Sequence, residues 1–484
     1  MTGAGTPWPA VDPATWSAYA AAADGPGFDV RDPATGDAIA RLRDDDERAA
    51  DAAVARAVAA ADAWAATPAR ERSDVLLRAF AAMRERREEL AALVSLENGK
   101  ARADALAEVD YAAEFFRWYA EEAVRLRGEL FTNPAGTNRV LVSHEPVGVC
   151  VLVTPWNFPA AMATRKIGPA LAAGCTAILK PASETPLTAI AVAGILREAG
   201  LPDGVLQLVV TTRPREVVAR LLEHDAVRLL SFTGSTEVGR TLLAQAAASV
   251  QRTTMELGGN APFLVLDDAD LDAAVAGAMV AKMRNAGQAC TAANRFYVQS
   301  GVHDAFVDAL CARMAAVVVG PASDPATECG PLVNAAAVDK VVDLVDDAVA
   351  RGARVRLGGV RPEGGPGTFY PPTVLVDVPP DARILAEEVF GPVAPVVRFD
   401  DVDEAVAAAN DTIHGLVSYL YTGDLAEGLR IARRLRAGMV AVNRGLVSDP
   451  AAPFGGVKQS GVGREGSHEG LLEYVDVKYV ATTW

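Results

Sequence analysis

The chain has 484 residues, of which 50% are hydrophobic and 22% are charged, a composition typical of a soluble globular protein with two or three domains and unlike that of a disordered chain. Its net charge of −16 argues against nucleic acid as a partner, because binding to a polyanion requires clustered Lys and Arg. Five scattered cysteines without a C-x-x-C pair predict reduced thiols, and they indicate neither a disulfide framework nor a metal site.

The first 28 residues are rich in Pro, Gly and Ala and predict a loosely packed lead-in without the basic and apolar regions of a secretory signal. Helical periodicity follows, with Ser73 as a predicted N-cap and Gly99 as a predicted helix stop. The helices predicted by this periodicity cover residues 44–66, 73–98 and 103–127.

Apolar strands and helices alternate from residue 147, after a short predicted strand at 140–144. Strands this apolar are covered on both faces, which predicts an α/β fold with a doubly wound parallel sheet. The longest apolar run, 147–163, is interrupted by Pro155 and Pro159 and cannot span a bilayer, so we expect a cytoplasmic protein with no membrane partner. The predicted strands are 147–153, 175–180, 205–210 and 227–232, and the predicted helices are 160–173, 186–199, 214–222 and one from Thr236.

Parallel sheets bind ligands beyond the carboxyl ends of their strands. That rule selects residues 154–159, 180–183 and 232–236. The last of these opens a helix near Gly234, whose free N–H groups suit a phosphate, although a plain helix N-cap gives the same pattern. A second alternating region runs from residue 262 to about 443.

Cys290 lies in a loop of small residues, between a predicted helix at 270–286 and a predicted strand at 295–299. A free cysteine is most often a small buried hydrophobe, so its role depends on its neighbours. Upstream, Glu256 precedes a glycine pair and offers a carboxylate. Together the two stretches supply a nucleophile and a base. No histidine lies near Cys290 in sequence, and nothing favours a Cys–His hydrolase.

The chain resembles the NAD(P)-dependent aldehyde dehydrogenase superfamily over essentially its whole length, in motifs that occur in the family's order and spacing. The motifs are T-P-W-N-F-P, L-K-P-A-S-E-T-P, F-T-G-S-T, E-L-G-G-N-A-P, G-Q-A-C-T, E-E-V-F-G-P and P-F-G-G-V-K-Q-S-G-V-G-R-E. The resemblance implies a homodimer or homotetramer with three domains per chain. These are a dinucleotide-binding domain (1–127 and 147–258), an α/β catalytic domain (259–445) and a small β oligomerisation arm (128–146 and 468–484).

The resemblance also implies the roles of individual residues. Cys290 would be the nucleophile, Glu256 the base for thioester hydrolysis, Asn157 an oxyanion donor, and Lys166 with Glu465 a proton path. The implied cofactor contacts are Thr154, Pro155, Trp156, Lys180, Pro181, Ala182, Ser183, Gly234, Ser235, Leu257, Glu388 and Phe390.

Within the superfamily the chain is most similar to succinate semialdehyde dehydrogenases. The matching positions are Arg165, Arg284 and Ser448, which in that subfamily bind the distal carboxylate of the small aldehyde. Arginine suits this task because its planar fork pairs with a carboxylate in a bidentate manner. The ordinary alternative for either arginine is a surface ion pair.

The cofactor is predicted to be NADP or NAD, with NADP favoured. Relatives that prefer NAD often carry a glutamate three residues after the lysine, whereas this chain has Ser183, which leaves Lys180 free to pair with a 2′-phosphate. Glu184 lies next door and is able to restore repulsion. The loop 210–215 departs from the family by lacking its small glycine turn.

Three alternatives remain open at the level of sequence. The first is a dehydrogenase for glutarate semialdehyde or another ω-carboxylated aldehyde. The second is a catalytically idle relative that keeps the fold, against which Cys290, Glu256 and Asn157 argue. The third is a coenzyme A-dependent acylating enzyme, which the hydrolytic Glu256 disfavours.

Overall fold

The computed structural model describes residues 8–22, 25–360 and 365–483. A 3-10 turn at Pro13–Tyr19 and an antiparallel pair of strands, β1 (Gly27–Arg31) and β2 (Ala38–Arg43), open the described chain. The predicted lead-in falls partly outside the described residues, and within them Trp16 is buried in the core. Sequence analysis missed this pair of strands because charged residues interrupt both of them.

Four helices follow, and they correct the predicted boundaries. Ser73 is not an N-cap, because it lies buried inside the second helix, which begins just after Pro68. That helix ends at Glu85 and the next begins at Arg87, so the predicted helix 73–98 is divided between two helices. Gly99 ends the third helix as predicted, with a left-handed φ of 81°. The helices are α1 (Glu47–Ala66), α2 (Ala69–Glu85), α3 (Arg87–Asn98) and α4 (Arg102–Ala123).

The rest of the chain alternates strands and helices. Its first half contains β3 (Glu129–Thr132), β4 (Arg139–Pro146), β5 (Val149–Val153), α5 (Pro159–Ala173), β6 (Thr176–Lys180), α6 (Pro186–Glu198), β7 (Leu206–Leu208), α7 (Pro214–Leu222), β8 (Val227–Thr233), α8 (Thr236–Ala247) and β9 (Arg252–Glu256). Its second half contains β10 (Ala261–Val265), α9 (Leu271–Met283), β11 (Ala293–Gln299), α10 (His303–Ala315), α11 (Ala335–Ala350), β12 (Arg354–Leu357), β13 (Thr373–Val376), α12 (Arg383–Ala386), β14 (Val393–Phe399), α13 (Val402–Asn410), β15 (Val417–Tyr421), α14 (Leu425–Ala432), β16 (Met439–Val442), β17 (Gly461–Val462), α15 (Ser467–Leu472) and β18 (Val475–Thr482).

The predicted doubly wound sheet is confirmed in the first half of the chain. Its six strands have the order β17-β9-β8-β5-β6-β7 and run parallel except for β17. Alternate residues of β5 enter opposite layers: Cys150 and Leu152 pack with α4, α5 and α6, whereas Val149, Val151 and Val153 pack with α1, α7 and α8. Both faces of this sheet are therefore covered by helices.

The second half forms a seven-stranded sheet with the order β12-β13-β14-β11-β10-β15-β16, antiparallel only at β12. A separate three-stranded antiparallel sheet has the order β18-β4-β3, and β3 is exposed along its whole length. No helix in the described ranges is long and apolar enough to cross a bilayer. Within the same ranges, no cluster of three or more His, Cys, Asp or Glu side chains is arranged to hold a metal ion.

A fully buried ion pair, Lys100–Glu108, joins the junction between α3 and α4 to the start of α5. The Lys100 ammonium also donates to the backbone oxygen of Asn157 at 2.9 Å. The second oxygen of Glu108 accepts the backbone N–H groups of Ala160 and Ala161 at 2.9 and 3.3 Å. Glu108 thus satisfies donors in the first turn of α5, where a negative charge is favoured by the helix dipole.

We predict that Glu108→Leu lowers the free energy of unfolding by about 3–5 kcal/mol, because it leaves the Lys100 charge buried without a partner. The double variant Lys100→Met/Glu108→Leu loses less, since neither charge then remains. Urea titrations followed by circular dichroism give the order of the unfolding midpoints. Glu114→Leu, which breaks the exposed Arg117–Glu114 pair on the same helix, is the control, with an expected change below about 1 kcal/mol. A double variant less stable than Glu108→Leu would contradict this reasoning.

Candidate active site

Two adjoining cavities lie at the carboxyl ends of β5, β6 and β8, where the sequence predicted ligand binding. The first has a volume of about 370 Å³, and the predicted nucleophile Cys290 lines it together with Asn157. The second has a volume of about 480 Å³ and contains Lys180. Both are lined by Pro155, Trp156, Thr233 and Gly234, so they form a continuous channel.

The loop that carries Cys290 begins earlier than predicted. Helix α9 ends at Met283 and not at residue 286, because Asn285, Ala286 and Gly287 adopt left-handed φ angles of 52°, 54° and 76°. This turn is held by side chains: the Asn285 N–H donates to Asp104 Oδ2 at 2.7 Å. A Cβ atom at position 287 would lie 2.2 Å from the Gly391 oxygen, so only glycine fits there.

Asn157 connects this loop to the parallel sheet. Its side-chain Nδ2 donates to the Gln288 oxygen at 3.1 Å. Its backbone oxygen accepts from Asn285 Nδ2 and from Lys100, each at 2.9 Å. The predicted oxyanion donor and the predicted nucleophile are thereby fixed relative to each other, although their roles are not tested by these contacts.

The charged residues around Cys290 shift the pKa of its thiol in opposite directions. Burial raises the pKa of its thiol to about 12, with a smaller contribution in the same direction from Glu388. Arg165 and Arg284 act in the opposite direction and favour the thiolate. The resting thiol is therefore protonated at neutral pH, and it requires a base before it can attack a carbonyl carbon.

Glu256, the predicted base, ends β9 and is buried. Neither carboxylate oxygen has a hydrogen-bond partner among the described residues. Burial raises the pKa of Glu256 well above its ordinary value, and the charge of Glu465 raises it further. A carboxylate with a raised pKa is suited to accept a proton near neutral pH.

Two cationic side chains of α5 lie beside Glu465. Its Oε1 lies 2.5 Å from the Lys166 ammonium, which also donates to Ser231 Oγ at 2.7 Å. Its Oε2 lies 3.4 Å from the Arg165 guanidinium. The predicted proton path of Lys166 and Glu465 is thus a contiguous buried network within electrostatic reach of Glu256.

Two of the three predicted carboxylate ligands, Arg165 and Arg284, lie close enough to Cys290 to lower the pKa of its thiol. Arg165 is 2% exposed, donates to Tyr111 Oη at 3.0 Å and lies over the Phe454 ring at 4.0 Å. Arg284 is half-buried and lies 5.1 Å from the centre of the Phe158 ring. Ser448 follows β16, and no hydrogen bond links it to either arginine in the described part of the chain. The three-residue clamp stays a prediction.

The predicted cofactor contacts are distributed along the channel. Burial lowers the pKa of Lys180 to about 8 and raises that of Glu388 to about 7. Glu388 accepts the Gly259 N–H at 3.2 Å, and Phe390 packs edge-on against Trp156 with ring centres 5.4 Å apart. Ala182, Ser183, Gly234, Ser235 and Leu257 line one or both cavities, Thr154 lines the second, and Pro181 lines neither.

These residues fit a dinucleotide. Ser235 caps α8, a helix of 12 residues, and lines the first cavity, whereas Glu237 and Val238 of the first turn line the second. The start of α8 thus presents N–H groups suited to phosphate. The Lys180 amine, 5% exposed, makes no hydrogen bond within the described ranges although it lines the channel. A cavity lined by an amine that donates no hydrogen bond within the described ranges is suited to ribose hydroxyls or phosphate.

Sequence reasoning missed the residues that support the site. Lys100, Asp104 and Glu108 position Asn157 and Asn285, and Lys340 lines the first cavity. The spacing of four residues between Asp104 and Glu108 was the available signal, because it places both on one face of α4.

A family model described as "Aldehyde dehydrogenase family" matches residues 19–480 of this chain. The chain belongs to the aldehyde dehydrogenase family. The resemblance inferred from the motifs is thereby confirmed, and the aldehyde dehydrogenase fold with it.

Relatives of this aldehyde dehydrogenase are similar along nearly their entire length. A probable succinate-semialdehyde dehydrogenase [NADP(+)] of Sinorhizobium fredii is 50% identical, covering 94% of this chain and 92% of the relative. A glutarate-semialdehyde dehydrogenase of Pseudomonas aeruginosa is 48% identical, covering 96% and 95%. The crystal structure of succinate-semialdehyde dehydrogenase from Burkholderia pseudomallei is 46% identical, with a TM-score of 0.95 and coverage of 97% and 98%.

We predict that alkylation of Cys290 by iodoacetamide in the cofactor-free aldehyde dehydrogenase accelerates about tenfold per pH unit between about pH 7 and 9, because the thiol pKa lies above this range and only the thiolate reacts. Arg284→Ala slows the reaction at fixed pH, since removing a cation raises the pKa further. Mass spectrometry measures the rate, with Cys290→Ala used to subtract the half-buried Cys311. A plateau below about pH 8 would contradict a raised pKa.

Proposed function

We propose that this aldehyde dehydrogenase oxidises succinate semialdehyde to succinate, with NADP or NAD as hydride acceptor. The observation that carries the proposal is the position of the Cys290 thiol within the electrostatic reach of Arg165, Arg284 and Glu256. A thiol, a carboxylate base and two arginines suit an aldehyde that ends in a carboxylate. The names of the similar enzymes support the same substrate class.

In the proposed mechanism, the Cys290 thiol gives its proton to water and its sulfur attacks the aldehyde carbon, so that a C–S bond forms and the carbonyl oxygen becomes an alkoxide. The free hydrogen of the Asn157 amide and the Cys290 backbone N–H stabilise this oxygen, and one such donor contributes about 3–4 kcal/mol in comparable sites. A nicotinamide bound in the channel would supply the hydride acceptor. Departure of hydride leaves a thioester on Cys290.

Hydrolysis of the thioester then requires an activated water molecule. Glu256 accepts a proton from the water, whose oxygen attacks the thioester carbon, and the C–S bond breaks. The Lys166–Glu465 network next to Glu256 receives the proton afterwards and returns Glu256 to its basic form. This assignment is supported by the 2.5 Å contact between Lys166 and Glu465 and by the raised pKa of Glu256.

We predict that Glu256→Gln produces a burst of reduced cofactor and then turns over at least about a hundredfold more slowly than the wild type, because hydride transfer precedes attack by water. Rapid-mixing absorbance at 340 nm measures both phases. Cys290→Ala is the control, and it should give neither burst nor turnover while still binding cofactor. A normal steady state in Glu256→Gln would remove this residue from the role of base.

We propose that Arg284 selects the substrate by binding its distal carboxylate. Its guanidinium faces Phe158 and lies 3.4 Å from Thr291 Oγ1, a weak contact that leaves most of its donors available. Arg165 is partly engaged by Glu465 and contributes a less available charge. Ser448 is the third proposed ligand of the distal carboxylate.

Glutarate semialdehyde, one methylene longer, is the second candidate substrate, because a glutarate-semialdehyde dehydrogenase is nearly as similar to this chain. One methylene changes transition-state binding by only about 1–3 kcal/mol. Initial rates with both semialdehydes and with butanal, each with NADP and NAD, decide between the candidates. Absence of turnover with every aldehyde would instead favour a catalytically idle relative.

We predict that Arg284→Ala lowers kcat/KM for succinate semialdehyde about ten- to hundredfold, corresponding to one lost charge-assisted contact of about 1.5–3 kcal/mol. The value for butanal stays within about twofold, because butanal has no carboxylate. Steady-state kinetics on both aldehydes tests the difference. Equal losses on both would mean that Arg284 supports the Cys290 loop instead of binding substrate.

We further propose that the six-, seven- and three-stranded sheets mark three domains, with cofactor binding assigned to 1–127 and 147–258, catalysis to 259–445, and oligomerisation to 128–146 and 468–484. The three-stranded sheet supports the last assignment, since it exposes Leu130, Phe131, Val477, Tyr479 and Val480. Sedimentation analysis distinguishes a homodimer from a homotetramer, and a monomer would reject the arm.

A further inference from the structure

The second cavity is unusual in the balance of its charges. Four charged side chains line it: Lys180, Glu184, Arg215 and Glu237. Lys180 follows β6, Glu184 lies in the next loop, Arg215 begins α7, and Glu237 begins α8. Without Arg215 this cavity would contain one cation and two carboxylates, which is an unfavourable environment for an anion.

The Glu184 carboxylate already offsets the Lys180 charge within the cavity. Glu184 lies close enough to raise the pKa of Lys180, although burial lowers it more. Glu184 also accepts a hydrogen bond from the Ser183 hydroxyl at 3.1 Å, which holds its carboxylate beside Lys180. Lys180 alone is therefore a weak partner for a doubly charged phosphate in this chain.

Arg215 is exposed and makes no hydrogen bond or ion pair with any residue in the described part of the chain. Its neighbour Arg213 differs, because Arg213 lies 3.6 Å from Glu47 and does not line the cavity. Arg215 occupies the first turn of α7, where a cation opposes the helix dipole and costs about 0.3–1 kcal/mol. Its position thus gives α7 no stability, and it places a free guanidinium at the wall of the cavity.

We propose that Arg215 is a specificity-determining residue that pairs with the 2′-phosphate of NADP. Its planar fork donates two hydrogen bonds to one phosphate group, and its charge offsets Glu184 and Glu237, so that the cavity accepts an additional dianion. This inference rests on the proposed function only for the identity of the cofactor. It also gives a function to the loop 210–215, which lacks the small glycine turn of the family.

Binding of adenosine 2′,5′-bisphosphate and adenosine 5′-monophosphate tests this role without any aldehyde. Isothermal titration calorimetry is performed on the full-length wild type, Arg215→Ala, Arg215→Lys and, as matched control, Arg213→Ala. Arg215→Ala should weaken binding of the bisphosphate about tenfold or more, which is the usual loss for one charge-assisted contact, while changing that of the monophosphate less than twofold. Arg215→Lys should retain an intermediate affinity, and Arg213→Ala should bind both ligands like the wild type.

Steady-state kinetics should follow the same pattern, with kcat/KM of Arg215→Ala falling for NADP and not for NAD. Equal losses for both nucleotides would overturn the proposal, because they would indicate a structural role or a contact to the shared adenosine. Unchanged bisphosphate affinity in Arg215→Ala, or a wild type that binds both nucleotides equally, would also overturn it. Failure of semialdehyde oxidation would leave these binding results intact, so the two proposals fail independently.

Discussion

The backbone oxygen of Asn157 is the point on which the site depends. It accepts hydrogen bonds from Lys100, at the junction of α3 and α4, and from Asn285, in the left-handed turn before Cys290. One carbonyl thus connects the helical layer, the parallel sheet and the loop of the seven-stranded sheet. Lys100 is fully buried and pairs with Glu108, and the same Glu108 accepts hydrogen bonds from the start of α5.

Helix α5 in turn carries the charged groups behind the thiol. Arg165 and Lys166 are consecutive, so both cannot face the same side, yet Glu465 bridges them with its two oxygens. Arg165 lowers the pKa of both Cys290 and Glu256, whereas Arg284 lowers that of Cys290 and Glu465 raises that of Glu256. A nucleophile that must lose a proton and a base that must accept one therefore lie within one buried region.

The doubly wound sheet could be predicted from sequence because its strands are continuous apolar runs, and the burial of every residue of β5 and β6 explains why that signal is strong. The site residues could be predicted only through motifs. The early end of α9 could not be predicted from sequence. It depends on hydrogen bonds that Asn285 donates to Asp104 and Asn157, and both of these residues are distant in sequence. Ser73 was misassigned for the same kind of reason, since tertiary burial overrode its capping tendency.

Strand β17 has a consequence for the order in which the protein is completed on the ribosome. It pairs Gly461 with Glu256 at the edge of the parallel sheet, and Glu465 follows four residues later. A nascent chain that has emerged only as far as residue 450 holds the thiol, the carboxylate and every helix through α14, yet it has no cover over the edge of β9. Domains generally fold as units from the N-terminus during synthesis, so the sheet edge beside Glu256 is covered only after residues 461–465 have left the ribosome.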